Sequence, residues 1–176
     1  MALDILILSV LRGGAMHGYE LKRQVQRPTS APLSNNSLYP YLKRFEELGA
    51  VTATVEVQEA RPARRIYALT DAGRELFHEL VSTLPADRAG DEEEFLVRLS
   101  FFHEIDSAAR KAILAARVEA LDARIAQVAA LADGDPVPEW RGVALAHLLE
   151  RLQDERSWVD GLGTRAGENA DVATGH

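Results

Sequence analysis

Ser34-Asn35-Asn36-Ser37-Leu38-Tyr39-Pro40-Tyr41-Leu42-Lys43-Arg44-Phe45-Glu46-Glu47-Leu48-Gly49 is the stretch on which the fold turns. Leu38, Leu42, Phe45 and Leu48 recur at helical spacing and mark a buried face. At about 100° per residue, Asn36, Tyr39, Lys43 and Glu47 fall on the opposite side. The spacing predicts a helix from Ser34 or Asn35 to Leu48, stopped by Gly49. Pro40 costs about 3 kcal/mol deep in a helix and little in its first turn. The helix therefore begins near Asn36 or has an irregular first turn.

Downstream, Val51, Ala53, Val55 and Val57 alternate with Thr52, Thr54, Glu56 and Gln58, the period of a strand. Glu59-Ala60-Arg61-Pro62-Ala63 reads as a turn and Arg64 to Leu69 as the returning strand, giving a β-hairpin with Arg61, Arg64 and Arg65 at its tip. Thr70 is placed to cap a helix through Leu76, Phe77, Leu80 and Val81. Upstream, Leu3–Leu11 is apolar nearly all round and must be covered on most sides, which invites help from a second subunit. Gly13-Gly14 ends it. His17-Gly18-Tyr19-Glu20 then opens a second helix to about Gln26, with Tyr19, Leu21 and Val25 pointing inward. The plain reading of that tetrad is core packing and not catalysis.

Three short helices followed by an arginine-tipped hairpin suit a duplex. One helix enters the major groove and shows polar side chains to base edges, while the hairpin lies along phosphates. The expected DNA contacts include Asn35, Asn36, Ser37 and Tyr39, with Asn36 and Tyr39 toward bases or methyl groups. Lys43 and Arg44 position the helix, and Arg61, Arg64 and Arg65 serve the hairpin. Taken alone, a basic turn is more often just a solvated surface.

These residues resemble the PadR family of bacterial transcriptional regulators. The likeness is carried by Leu6-Ile7-Leu8 leading to Met16-His17-Gly18-Tyr19-Glu20-Leu21; by Ser37-Leu38-Tyr39-Pro40 with Leu42-Lys43-Arg44; by Glu47-Leu48-Gly49; and by Arg64-Arg65-Ile66-Tyr67-Ala68-Leu69-Thr70-Asp71-Ala72-Gly73. It covers residues 3–80, and the long C-terminal helices with a late Trp resemble the longer PadR subgroup. The resemblance implies a winged helix-turn-helix, a homodimer built by the C-terminal helices with help from the first helix, and repression relieved by a small molecule. It also accounts for Pro40, which the family carries in its recognition helix. Leu33-Ser34-Asn35-Asn36 departs from the Pro-Gly-type approach of many members, so base preference differs.

The chain of 176 residues carries a net charge of −7, unevenly spread. Residues 1–84 hold 10 Lys+Arg against 9 Asp+Glu, and residues 85–176 hold 10 against 18. A near-neutral half joined to an acidic half suggests two jobs, and a local cationic cluster serves DNA whatever the overall sign. With no cysteine, disulfides, thiolate metal sites and cysteine nucleophiles are excluded. No apolar run approaches the roughly 18 residues of a membrane span and no secretory signal is visible, so the expectation is a cytoplasmic protein with no membrane partner.

The second half reads as helical. Asp91 with Glu94 forms a capping box and Asp106 caps a long helix to about Ala132. Leu114, Val118, Leu121, Ile125 and Val128 form a heptad-like seam. A last helix, from about Pro138 to Leu162, adds Leu145, Leu148, Leu152, Trp158 and Val159. These ten residues are the expected dimerisation set, because a two-helix hairpin leaves apolar area that a second copy would cover. Trp140 and Trp158 read first as interface packing and second as the lining of a pocket for a small aromatic effector. The domain reading is 1–84 DNA-binding, 85–91 linker, 92–162 helical dimerisation and 163–176 frayed tail. The fold class is mostly α with a small β-hairpin. His147 with Glu150 is too little for a metal site, and Gly-rich phosphate loops, G-x-S-x-G and H-E-x-x-H are absent. No catalytic residue, metal or cofactor is expected. The function so read is a homodimeric, sequence-specific DNA-binding regulator, most simply a repressor. Its rival is a helical protein-interaction module without DNA binding, and an enzyme comes a distant third.

Overall fold

The computed structural model describes residues 1–26, 35–58, 61–132 and 138–167, and the side chains of residues 35–37, 57, 58 and 61–63 lie outside that description. The chain divides into two compact units, Met1–Val81 and Ser82–His176.

In the first unit, α1 (Ala2–Arg12) is followed by a short edge strand β1 (Met16–His17) and α2 (Gly18–Val25). Next come α3 (Asn35–Glu47), β2 (Val51–Gln58), β3 (Arg61–Leu69) and α4 (Asp71–Ser82). The sheet is antiparallel in the order β1-β3-β2. Val51 pairs with Leu69 and Val55 with Arg65, and the register slips between Glu56 and Gln58. Arg61 and Pro62 therefore belong to β3 and not to the turn. Proline is tolerated in a strand at such irregular, edge-like positions.

Helix α1 packs on α2 and β3, and its Ile5, Ile7 and Leu8 are fully buried within the single chain. The single chain therefore already covers the residues for which the sequence invites help from a second subunit. Leu21 and Val25 are fully buried as the spacing predicts, but Tyr19 is 60% exposed. Two residues from Leu21 is a rotation of about 200°, which turns Tyr19 outward.

Leu38, Leu42 and Phe45 form the buried face of α3, with Pro40 inside the helix. Leu48 lies beyond the last turn and is exposed. The helix ends in a Schellman-type arrangement: Ala50 N–H donates to the Phe45 carbonyl at 2.9 Å, and Gly49 adopts φ +68°, a backbone state that favours glycine. Thr70 caps α4. Its Oγ1 accepts from the Gly73 N–H at 3.0 Å and donates to the Gly49 carbonyl at 2.7 Å.

In the second unit, Asp91 caps α5 (Glu92–Leu99) by accepting from the Glu93 and Glu94 N–H groups. A 3₁₀ turn (Phe102–Glu104) leads to α6 (Ser107–Ala132), capped by Asp106, and then to α7 (Glu139–Gly167). Helices α6 and α7 form an antiparallel hairpin, since Arg117 and Glu155, about equally far from the connection between the helices, are paired, and Arg156 also bridges to Asp122. Arg98 is fully buried. It donates to the Thr83 carbonyl at 2.6 Å and to the Glu94 carboxylate at 2.7 Å.

Three expectations change here. Residues 85–91, read as a linker, are hydrogen-bonded turns in which Ala89 is buried and its carbonyl accepts from Arg117 at 2.8 Å. Helix α7 runs past Leu162 to Gly167, with Ala166 buried. Gly161 and Gly163 each weaken a helix by about 1 kcal/mol, but Val159, Leu162 and Ala166 continue one packed face that outweighs them. Third, Leu114, Leu121, Val128 and Val159 are buried within the chain's own hairpin, so they are unavailable to a partner. Val118, Ile125, Leu145, Leu148 and Leu152 are half-buried, while Trp140 and Trp158 are exposed.

Candidate nucleic-acid interface

The outer face of α3 presents Tyr39 and Lys43 to solvent, with Lys43 Nζ 3.7 Å from the Glu47 carboxylate one turn on. Asn35, Asn36 and Ser37 lie in the first turn of this helix, and their side chains fall outside the described residues, as does that of Arg61. Arg44, expected beside Lys43 on the same surface, is committed elsewhere. Its guanidinium donates to the buried Asp4 carboxylate of α1 and lies over the Tyr41 and Phe45 rings at 5.0 and 5.2 Å. One residue along a helix is a rotation of about 100°, enough to send neighbouring cations to different surroundings.

On the hairpin, Arg64 and Arg65 are exposed. Arg65 lies 3.7 Å from Glu46 of α3, and Arg64 stands opposite Glu56 across the strands. Between hairpin and α3 is a cleft of about 410 Å³ lined by His17, Gly18, Tyr19, Tyr39, Arg64, Arg65 and Tyr67. Among the described residues no carboxylate lines it. Gly18 makes it possible: a Cβ there would sit 3.3 Å from the Tyr67 ring and 3.5 Å from the Tyr39 hydroxyl. Burial pushes the Tyr67 phenol above its ordinary value, against the lowering effect of its hydrogen bond to Arg65. It stays protonated and able to donate.

The structure thus brings Tyr39, Arg64 and Arg65 together and pairs Arg44, itself exposed, with Asp4 of α1. Reading the sequence as core packing at His17 and Tyr19 missed their place in the cleft. The phase of α2, set by Leu21 and Val25, is the signal that places Tyr19 outside.

Trp158 meets Phe95 edge-on at 6.1 Å, and Trp140 is 80% exposed. Eighteen residues of α7 separate the two, about 27 Å at helical rise, so a pocket holding both needs a second chain. A groove of about 440 Å³ between α6 and α7 has an apolar floor of Leu114, Val118 and Val159 and includes neither Trp. Among the described residues no group of three His, Asp or Glu could hold a metal ion, and no helix is long and apolar enough to cross a membrane.

Comparison with known proteins bears on this surface. The model of the family described as "Transcriptional regulator PadR-like family" matches residues 7–79. The chain is 22% identical over 171 residues to the negative transcriptional regulator PadR of Bacillus subtilis, covering 89% of this chain and 92% of that one. Structures of the B. subtilis protein in complex with operator DNA (18% identity, TM-score 0.44, 93% and 97% of the two chains) and with p-coumaric acid (19% identity, TM-score 0.39, 96% and 97%) are similar to it.

Proposed function

We propose that the chain is a transcriptional regulator of the PadR-like family, whose model matches residues 7–79, and that it is a homodimeric repressor that binds double-stranded operator DNA through α3 and the β2–β3 wing. One observation carries this reading: Tyr39 and Lys43 on α3 and Arg64 and Arg65 on the wing face solvent, and among the described residues no carboxylate lines the cleft that Tyr39, Arg64 and Arg65 share. In this reading α3 enters the major groove, Asn36 reads a base edge, and the wing arginines hold phosphate. Two copies present two such helices about one helical turn apart on a pseudo-palindromic site. Repression is supported by the likeness to a negative regulator over most of both chains.

The helical unit supplies the dimer contact. Leu96, Leu131, Trp140, Val143 and Trp158 are large apolar side chains left exposed by a single chain, and a second copy covers them. That contact, rather than the hairpin's own buried seam, is the proposed dimer interface, with half-buried Leu145, Leu148 and Leu152 beside it. A small aromatic effector bound between the subunits near Trp140 or Trp158 relieves repression by favouring a dimer whose DNA-binding units are misplaced. The protein works where its DNA lies, in the cytoplasm, and is not an enzyme.

The test is titration of fluorescent duplexes from the DNA upstream of its own gene, at several salt concentrations, with sedimentation to fix the oligomer. Asn36→Ala is expected to relax preference at one base pair at a cost of about 1–3 kcal/mol. Equal losses on specific and random duplexes would remove Asn36 from base readout. A chain that sediments as a monomer and binds no duplex overturns the proposal.

A further inference from the structure

The cleft has more donors than the wing arginines alone. Among the described residues its polar lining consists of two guanidiniums, three phenols and one imidazole. All of these can donate hydrogen bonds, and none is an obligate acceptor. Such a set is matched to an anion with several acceptor oxygens around one centre, which is a phosphate. Two features are otherwise unexplained. Tyr19 is 60% exposed, and its ring stacks on His17 at 5.7 Å and 14°. His17 Nδ1 is buried and has no hydrogen-bond partner among the described residues, the kind of orphan that marks a missing ligand or water. On its other side, Nε2 of His17 lies 3.8 Å from Glu56.

The strand pairing explains why the cleft is open. β1 pairs only with Ile66 and Tyr67 of β3, so the sheet edge beside Arg64 and Arg65 is left without a strand from β1. The α2 N-terminus stands at that gap, and Tyr39 of α3 closes it from the side. All the lining residues belong to the first unit. The cleft lies between the exposed face of α3 and the wing, where the backbone of a duplex engaged by both must pass.

We infer that this cleft seats one backbone phosphodiester of the bound duplex, with His17 and Tyr19 as phosphate-holding residues alongside Tyr39, Arg64 and Arg65. The inference rests on the DNA-binding reading above and extends it to residues that the recognition helix and wing do not include. Because phosphates carry no sequence, these contacts fix the register of α3 in the groove and add affinity equally to every duplex.

The experiment uses the full chain and a duplex carrying its binding site, and compares wild type with Tyr19→Phe and His17→Gln. Each variant is expected to weaken binding roughly threefold to tenfold, by the same factor on specific and random duplexes, with the thermal midpoint unchanged. A scan of single neutral methylphosphonates should find one position per half-site that weakens wild type but has little further effect on Tyr19→Phe. Inorganic phosphate, compared with chloride at equal ionic strength, tests the other source of the same chemistry. Selective competition by phosphate, with no sensitive methylphosphonate position, makes the cleft a small-anion site and overturns the assignment. If wild type binds while both variants bind as tightly, the cleft falls and DNA binding stands. If wild type binds no duplex at low salt, both fall.

Discussion

Replacing Arg44 by alanine should unfold the protein more readily without removing a phosphate contact, whereas replacing its neighbour Lys43 should do the reverse. Asp4 is the reason. Its side chain is 7% exposed, and it faces the Arg44 guanidinium, with the Met1 amino group 3.4 Å from its other oxygen. Removing one partner of a buried pair costs about 3–5 kcal/mol, because the other charge is left uncompensated. Arg44 is 51% exposed, and Met1 supplies a second cation. Both lower the loss, to about 2 kcal/mol. The lost guanidinium contacts with Tyr41 and Phe45 return about 0.5–1 kcal/mol of destabilisation, for a total near 3 kcal/mol. Lys43 is 80% exposed and among the described residues pairs with Glu47, a pair of about 0.3–0.5 kcal/mol. Urea unfolding followed by circular dichroism, read at constant m, gives the first quantity. The slope of log affinity against log salt gives the second. Lys43→Ala should leave stability within about 0.5 kcal/mol and flatten that slope by about 0.9. Arg44→Ala should lower stability by about 3 kcal/mol and leave the slope intact once affinity is corrected for the folded fraction. Adding Asp4→Asn should recover part of the loss. An Arg44→Ala variant as stable as wild type, with a slope reduced by one, would refute the clasp and return Arg44 to the DNA.

Gly73→Ala should be destabilising, since its Cβ would lie 2.1 Å from the Ala50 carbonyl oxygen and 2.5 Å from Leu69 Cδ1. Overpacking and strain on the Thr70 cap outweigh the gain in helix propensity, leaving a loss of about 2–3 kcal/mol. Gly90→Ala, with open space around it, is the control in the same urea titration. Arg98→Met should cost about 3–5 kcal/mol by removing the buried cation that faces the Glu94 carboxylate, and adding Glu94→Leu should restore most of it; both are read from the urea midpoint. The phenol of Tyr67 has its value raised by burial, so the stability it contributes is complete below pH 10 and is lost as pH rises through the folded-state value. Tyr67→Phe should flatten the alkaline limb of stability against pH, and a wild-type limb unchanged by that substitution would contradict the assignment.

The parts of this fold that were legible were local. Leu38, Leu42 and Phe45 announced the buried face of α3, Gly49 its end, and Thr70 and Asp91 the caps of α4 and α5, because each signal is decided within one or two helical turns. What escaped was settled across the chain. β1 is two residues long, too short to show alternation, and exists only because Ile66 and Tyr67 offer it an edge. Asp4 and Arg44 are 40 residues apart, and nothing in either neighbourhood says that a carboxylate inside an apolar helix waits for that guanidinium. The seam of α6 was read correctly as a seam, but its periodicity cannot say whether the facing helix comes from the same chain. In the cleft, Arg64, Arg65 and Tyr39 were visible as exposed polar residues, while His17 and Tyr19 were hidden by their place in an apparently core-forming motif.

An acidic protein can serve a polyanion if its carboxylates are held where they do not repel it, and the first unit shows how. Asp4 is buried against Arg44, and Asp71 pairs with Arg74. The carboxylates near the proposed DNA face, Glu46, Glu47 and Glu56, stand 3.7, 3.7 and 3.8 Å from Arg65, Lys43 and His17. Exposed pairs such as those of Lys43 and Arg65 are each worth well under about 1 kcal/mol, so a phosphate displaces the carboxylate at little cost, and the two cations change partner without leaving their posts. The same carboxylates then face the duplex unpaired, which penalises any approach that does not bring phosphates into the cation positions. An acidic face around a cationic cleft thereby favours one register over a loose electrostatic embrace, and the negative charge concentrated after residue 84 keeps the helical unit from competing for the same strand.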